Sequence, residues 1–188
     1  MTQIRILGEI LDILADLHIP HMVVGSFASG FHGEFRATQD ADLVIDPTVE
    51  QLDALLELVS GDFYVSPEAA AEALSRRGQF NLVHFDSAWK IDLIIRKERP
   101  FSREEFARRQ EGNLSGRQAP VNSPEDVILA KLEWAKNSGS TRQIEDAAGV
   151  IAAWGGALDW DYIDHWARVL SVEDLLAQVR SPISGNEG

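Results

Sequence analysis

The chain has 188 residues, 45% of them hydrophobic, no cysteine and a net charge of −13. That is enough apolar material for one core with a smaller appendage, and it excludes disulfides, thiolate metal sites and cysteine nucleophiles. The acidity argues against a broad non-specific grip on nucleic acid, and no apolar run approaches the roughly 20 residues that span a bilayer.

Apolar residues at Ile6, Ile10, Ile13, Leu14 and Leu17 recur at helical spacing, which predicts a helix over 4–17 closed by Pro20. Glu9, Asp12 and Asp16 interrupt it, so it reads as an amphipathic helix of a cytoplasmic, bacterial-type protein and not as a signal peptide. Met22–Val24 reads as a short buried strand, Ser26–Gly33 as a short helix and Asp40–Ile45 as a second strand. Thr48-Val-Glu-Gln51 is a capping-box pattern opening a helix to Val59, with Gly61 expected as a left-handed cap. A short strand follows over 62–65. Ser66-Pro67 then opens a helix to Arg76. Gln79–Phe85 and Lys90–Ile95 read as a hairpin turning at Asp86-Ser87.

The texture changes after Ile95. Residues 100–122 are polar and contain Gly112, Gly116 and Pro120, which reads as a short helix and then a loop or weak hairpin. Arg96, Lys97, Arg99, Arg103, Arg108 and Arg109 crowd this region, diluted by Glu98, Glu104 and Glu105; a solvated helix face is the plainer reading and a substrate-binding lip the other. From Ser123 the chain reads as helical. Ser123-Pro124 opens one helix, Ser140-Thr-Arg-Gln143 a second as a capping box, Asp159 a third, and Ser171 with Asp174 a fourth. Trp134, Trp154, Trp160 and Trp166 are expected to pack in that unit's core. The organisation is therefore an α/β (α+β) core over 1–120, a helical bundle over 121–180 and a flexible tail over 181–188, with a ligand cleft expected between the two units.

Asp40 and Asp42 alternate along a strand, so their carboxylates share a face while Ala41 and Leu43 turn to the core. Two like charges so close call for a cation, and Mg²⁺ suits hard oxygen ligands; a strand end dipping into solvent is the plain alternative. Asp92 is a single acid in the apolar run Lys90-Ile-Asp-Leu-Ile-Ile95. It either completes a three-carboxylate metal cluster or forms a surface pair with Lys90, and Lys90, which shares its face, is itself a candidate to bind the nucleotide. Gly25-Ser26 follows a buried strand and offers a tight turn and a hydroxyl to a phosphate, or simply a helix cap. Arg36 is placed to reach a triphosphate or to neutralise the carboxylates, and Thr38 to shape the turn. Lys131, mid-helix among Ile128, Leu129 and Leu132, either snorkels to solvent or leans toward a phosphate. The five histidines have no metal-ligand spacing, and no P-loop, Rossmann or nucleophile-elbow pattern is present.

Gly25-Ser26, a gap, Asp40-x-Asp42 followed by Leu-Val-Ile, and the later Ile-Asp92-Leu together resemble the nucleotidyltransferase superfamily, with its DNA-polymerase-β-like fold. The stretch from Gly25 to Asp42, with Ala28, His32, Gly33, Arg36 and Thr38, looks most like the branch of the abortive-infection type IV toxin nucleotidyltransferases and related poorly characterised bacterial proteins. The later stretches FNLVHFDSAWKIDLII and SPEDVILAKLEWAKNSGSTRQIEDAAGVI extend that resemblance over nearly the whole chain. It implies that Asp40, Asp42 and Asp92 hold Mg²⁺, that Asp92 completes the site or acts as base, and that Gly25-Ser26 holds the triphosphate. It further implies transfer of a nucleoside monophosphate from a nucleoside triphosphate to a small-molecule hydroxyl, a protein hydroxyl or, less expected, a tRNA end, with a cognate antitoxin as a partner and no membrane. Ser29 stands where adenylylating antitoxins and small aminoglycoside transferases usually carry a basic residue, which points away from those two activities. A non-catalytic nucleotide- or partner-binding module and a metal-dependent nuclease are the competing readings. The first leaves three clustered carboxylates without a purpose, and the second leaves the Gly-Ser turn unexplained.

Overall fold

Among the residues the structure describes, seven strands form one mixed sheet. A computed structural model of the protein describes residues 3–31, 40–114 and 117–180. The described chain divides into two compact units. One comprises the described residues of Met1–Phe27 and Arg36–Asn122, the other those of Ala28–Phe35 and Ser123–Gly188.

The first unit opens with α1 (Gln3–Asp16), whose Ile6, Leu7, Ile10, Leu11 and Leu14 form one buried stripe. It continues through β1 (His21–Val24), the first residues of α2 (Gly25–Phe31), β2 (Asp40–Ile45), α3 (Val49–Val59), β3 (Phe63–Tyr64) and α4 (Pro67–Arg76). Then come the hairpin β4 (Gln79–His84) and β5 (Lys90–Ile95), α5 (Pro100–Ala107), and a second hairpin of β6 (Gln110–Leu114) and β7 (Arg117–Val121). The sheet order is β3-β4-β5-β2-β1-β7-β6. β2 pairs antiparallel with β1 and parallel with β5, and β1 pairs parallel with β7. On one face α3 packs against α1 and α4, and α4 packs on β4 and β5.

Local signals set several boundaries. Thr48 and Gln51 make the reciprocal capping box, and Gln51 also reaches the carbonyls of Leu17 and His18, tying α3 to the end of α1. Ser66 caps α4 through the amide of Ala69, with Pro67 in the first turn. Gly61 does not take the expected left-handed cap. Ser60 ends α3 in a right-handed conformation, and Asp62 N–H closes the turn on the Val59 carbonyl, so no positive φ is required. The left-handed cap falls instead on Arg77 at the end of α4 (φ 52°), whose side chain bonds Asp46 and Glu98. Polar residues 110–121, read as a loop or weak hairpin, form a true hairpin whose β7 joins the central sheet beside β1.

The second unit is helical: α6 (Pro124–Ser138), α7 (Thr141–Trp154), a 3₁₀ turn over Gly155–Ala157, α8 (Trp160–Leu170) and α9 (Glu173–Arg180). α6 packs on α7 and α8, and α9 packs on α7 and α8. Ser123 caps α6 through the Asp126 amide and Asp159 caps α8 through that of Tyr162. Two expectations are corrected. Ser140 has the extended backbone of an N-cap but its side chain makes no cap bond to α7, so the capping box there does not form. Ser171 closes α8 in a left-handed conformation and does not cap α9. The tryptophans also depart from expectation: Trp134 is 56% exposed and Trp154 is exposed as well. Trp160 stacks under the guanidinium of Arg180, and Trp166 packs edge-on to His165. The buried tryptophan among the described residues is Trp89, in the first unit. No described helix is long and apolar enough to cross a membrane. The tail expected over 181–188 lies outside the described residues.

Candidate active site

The carboxylates sit where the alternation of β2 places them. Asp40, Asp42 and Val44 point to one face; Ala41, Leu43 and Ile45 are fully buried on the other. The parallel register of β2 with β5 sets Asp40 opposite Lys90, Asp42 opposite Asp92 and Val44 opposite Ile94. Asp92 therefore shares a face with Asp40 and Asp42, and side chains on neighbouring strands start only about 4.8 Å apart. β1 adds Val24 opposite Asp42 and Met22 opposite Val44. The face thus changes character along the strands. Met22, Val24, Val44 and Ile94 pack with Phe106 of α5 as an apolar floor, and the carboxylates stand at its edge. That floor shields one side of Asp92, which is only 8% exposed.

β1 delivers Gly25 to the same edge. Gly25 adopts φ +66°, and a Cβ added there would lie 2.1 Å from Oδ2 of Asp42. Only glycine lets the turn bring its backbone against that carboxylate. Ser26 follows within α2, and Phe27 packs edge-on to Trp89 with ring centroids 6.1 Å apart, fixing the start of α2 to the residue preceding Lys90. Gly25, Ser26, Asp40, Asp42, Lys90 and Asp92 are therefore gathered at one end of the adjacent inner strands β5, β2 and β1, the carboxylate edge. Arg36 and Thr38, also expected here, lie outside the described residues.

Lys90 is central to the electrostatics. Its ammonium is 2.8 Å from Asp92 and 3.8 Å from Asp40. The hydrogen bond to Asp92 raises its pKa above the ordinary lysine value, and the charges of Asp92, Asp40 and Asp42 add to this against a smaller opposing effect of burial. In this arrangement no three acidic or histidine side chains among the described residues stand close enough together to coordinate one ion; Asp40 and Asp92 instead share the lysine. The donor set nonetheless suits a hard divalent cation, being all carboxylate oxygen on in-register strands around a position already held by a positive charge.

Lys131 is placed in the helical unit, where it is 5% exposed and donates to Asp146 at 2.8 Å. It neither snorkels to solvent nor presents a free ammonium. The basic run at 96–109 is largely engaged as well. Arg96 bonds Asp46 and Glu98, Arg103 bonds Glu98, and Arg109 donates to the Phe106 carbonyl. Of the six basic residues only Arg103 lies within α5, so the run is not one helix face but flanks that helix on both sides. Two residues at the carboxylate edge escaped the sequence reading. Asn81 of β4 stands opposite Asp92 on the same face, flagged only by the alternation of Gln79, Asn81 and Val83. Trp89 is the other, and its signal was a lone aromatic at the mouth of the Asp92 strand.

No protein-family model matches the chain, and no curated protein matches it. Solved structures do. ANT(2'')-Ia in complex with adenylyl-2''-tobramycin is 20% identical, with 96% of this chain and 98% of that one covered at a TM-score of 0.62. An antigenic nucleotidyltransferase-like protein from Paracoccidioides brasiliensis is 17% identical over 97% of this chain and 94% of its own, at 0.60. The lincosamide antibiotic adenylyltransferase LnuA, lincomycin-bound, is 14% identical over 80% and 96%, at 0.54. The fold is the nucleotidyltransferase fold. On it, the edge bearing Gly25, Asp40, Asp42 and Asp92 is where the chain concentrates the residue types suited to a phosphate and a cation.

Proposed function

We propose that the protein is a Mg²⁺-dependent nucleotidyltransferase that moves a nucleoside monophosphate from a nucleoside triphosphate to a hydroxyl acceptor, releasing pyrophosphate. The observation that carries this reading is the register of Asp42 with Asp92, with Gly25 pressed against Asp42. A turn able to receive phosphate oxygens then lies beside a carboxylate set able to receive a cation.

Asp40, Asp42 and Asp92 would hold the ion, which supplies charge neutralisation at the transferred phosphorus. The Gly25-Ser26 backbone and the Ser26 hydroxyl orient the triphosphate. The apolar floor of Met22, Val24, Val44 and Ile94 keeps water from one side of the carboxylates and strengthens their interactions. Asp92, the most enclosed of the three, would either complete that set or, with the ion held by Asp40 and Asp42, accept the proton of the attacking hydroxyl. Arg36 and Thr38 complete the phosphate contacts in this proposal. Lys131 does not, because its ammonium is engaged by Asp146.

The acceptor we favour is a small molecule. The fold neighbours include proteins described with tobramycin and lincomycin, and the net charge of −13 disfavours bulk RNA. A toxin–antitoxin or phage-defence setting rests on the motif resemblance alone. The test is incubation with Mg²⁺, each labelled triphosphate and a metabolite extract. Pyrophosphate release with a labelled product, both lost in Asp40→Ala/Asp42→Ala, supports the enzyme. Triphosphate binding without transfer under any condition favours the binding-module alternative.

A further inference from the structure

Lys90 is an unusual neighbour for a cation site. It lies on the same strand face as Asp92, opposite Asp40 in the adjacent strand, and it bonds Asp92 at 2.8 Å while standing 3.8 Å from Asp40. A metal ion drawing Asp40, Asp42 and Asp92 together needs the same oxygens and the same space. An ammonium and a divalent ion cannot both occupy it, since two cations in contact repel strongly where one side is closed by an apolar floor. Lys90 has somewhere to go. Its side chain is 40% exposed, against 11% for that of Asp92, so the ammonium can swing into solvent while the carboxylate stays fixed.

We propose that Lys90 is the resident counter-cation of the carboxylate cluster, and that a divalent ion loads by displacing its ammonium from Asp92 and Asp40. This rests on the reading that the three carboxylates bind such an ion. Lys90 is then a positioning residue. It holds three like charges on one sheet edge while no ion is bound, and it sets how tightly the ion binds by competing for it. Metal affinity in this chain is thereby the difference between two cations' hold on the same carboxylates. The physical consequence is that removing the lysine strengthens metal binding, whereas a lysine that merely decorates the edge would leave it unchanged.

The test uses the full chain, with Mn²⁺ as a paramagnetic probe of the divalent site. Mn²⁺ affinity is measured by electron paramagnetic resonance for the unmutated protein, Lys90→Met and Lys97→Met. Lys97→Met removes an equal charge from the exposed segment that follows β5 and controls for net charge. Lys90→Met is expected to bind at least tenfold more tightly than Lys97→Met. Equal or weaker binding overturns the inference and leaves the proposed metal site standing; no binding to any of the three up to millimolar Mn²⁺ overturns both. A second measurement needs no variant. If the ion displaces Lys90, saturating Mn²⁺ raises the rate at which acetylating reagent modifies Lys90 several-fold, read by peptide mass spectrometry against Lys97. An unchanged or slower rate in protein shown to bind Mn²⁺ overturns the inference even if Lys90→Met does not fold.

Discussion

The Asp42 carboxylate lies against the backbone of Gly25, so close that a Cβ at residue 25 would meet Oδ2 at 2.1 Å. Gly25→Ala therefore suffers twice. A left-handed backbone costs an alanine about 1–2 kcal/mol, and the methyl group pushes the carboxylate from its place. The expected result is a lower denaturation midpoint together with loss of the Mg²⁺–triphosphate shift in melting temperature. Asp42→Ala should relieve the collision but not the backbone strain. In a double-mutant cycle, Gly25→Ala then costs less in the Asp42→Ala background than alone, and strict additivity would show that the contact has no energetic weight.

Asp92 separates stability from function. Its ion pair with Lys90 has one partner substantially exposed, and pairs of that kind contribute about 0–1 kcal/mol. Asp92→Asn keeps the shape and is expected to unfold within about 1 kcal/mol of the unmutated chain. It should nevertheless lose the stabilisation by Mn²⁺. Urea denaturation with and without Mn²⁺ measures both, and a preserved Mn²⁺ effect would remove Asp92 from the site.

Lys131 and Asp146 make the opposite kind of pair, with side chains 6% and 5% exposed. Lys131→Met leaves a buried carboxylate without its cation and should cost about 3–5 kcal/mol. Replacing both, as Lys131→Met/Asp146→Leu, should recover most of that loss. Triphosphate binding by the double variant should match that of the unmutated protein, as measured by calorimetry. A large loss of binding at restored stability would assign Lys131 to the ligand instead.

His21 gives a pH signature. Burial lowers its pKa, partly opposed by its bond to the Ile19 carbonyl at 2.8 Å, and the nearby Arg109 lowers it further. The folded state thus resists a proton that the unfolded chain accepts near pH 6.5. In the window below that value the unfolded state binds more protons, so stability falls as the pH falls. His21→Gln should flatten the dependence of the urea midpoint between pH 7.5 and 5.5, a range chosen above the carboxylate titrations. An unchanged slope would place the ring in contact with solvent.

The parts of the fold legible in the sequence are those decided by residues three or four apart, or by strict alternation. The Ser66-Pro67 and Ser123-Pro124 caps act on amides within one turn, and they form as expected. The strands 40–45 and 90–95 begin and end at the expected residues, because each sets charges against an apolar run. What depends on a distant partner was not legible. Lys131 is read alone as a free ammonium until α7 brings Asp146 beside it. The strand 117–121 is polar and contains Pro120, and only its pairing with β1 makes it part of the sheet. Gly61 carries the residue type for a left-handed cap, but α3 closes right-handed on Ser60; Ser140 has the extended backbone of an N-cap, yet its side chain makes no cap bond. At the candidate site, the acids and the Gly-Ser turn were visible as residue types. Lys90 reads in the sequence as a nucleotide-binding candidate or a partner of Asp92; that it also reaches Asp40 follows from the register of β2 with β5.

The place of β7 beside β1 has a consequence for biogenesis. β1 lies inside the sheet, with β2 on one side and β7 on the other, and Val23 faces Val121 across a pairing of residues remote in the chain. During synthesis β1, β2 and the β4–β5 hairpin leave the ribosome long before β7 does. Until then one edge of the Met22-Val23-Val24 strand presents open backbone and apolar side chains to any other strand it meets. The carboxylate edge can assemble in that interval, since its strands are already present. Protection of β1 waits for the last strand of the sheet, so a chain stopped short of residue 117 would carry a nearly complete site on a sheet prone to pair with its own copies.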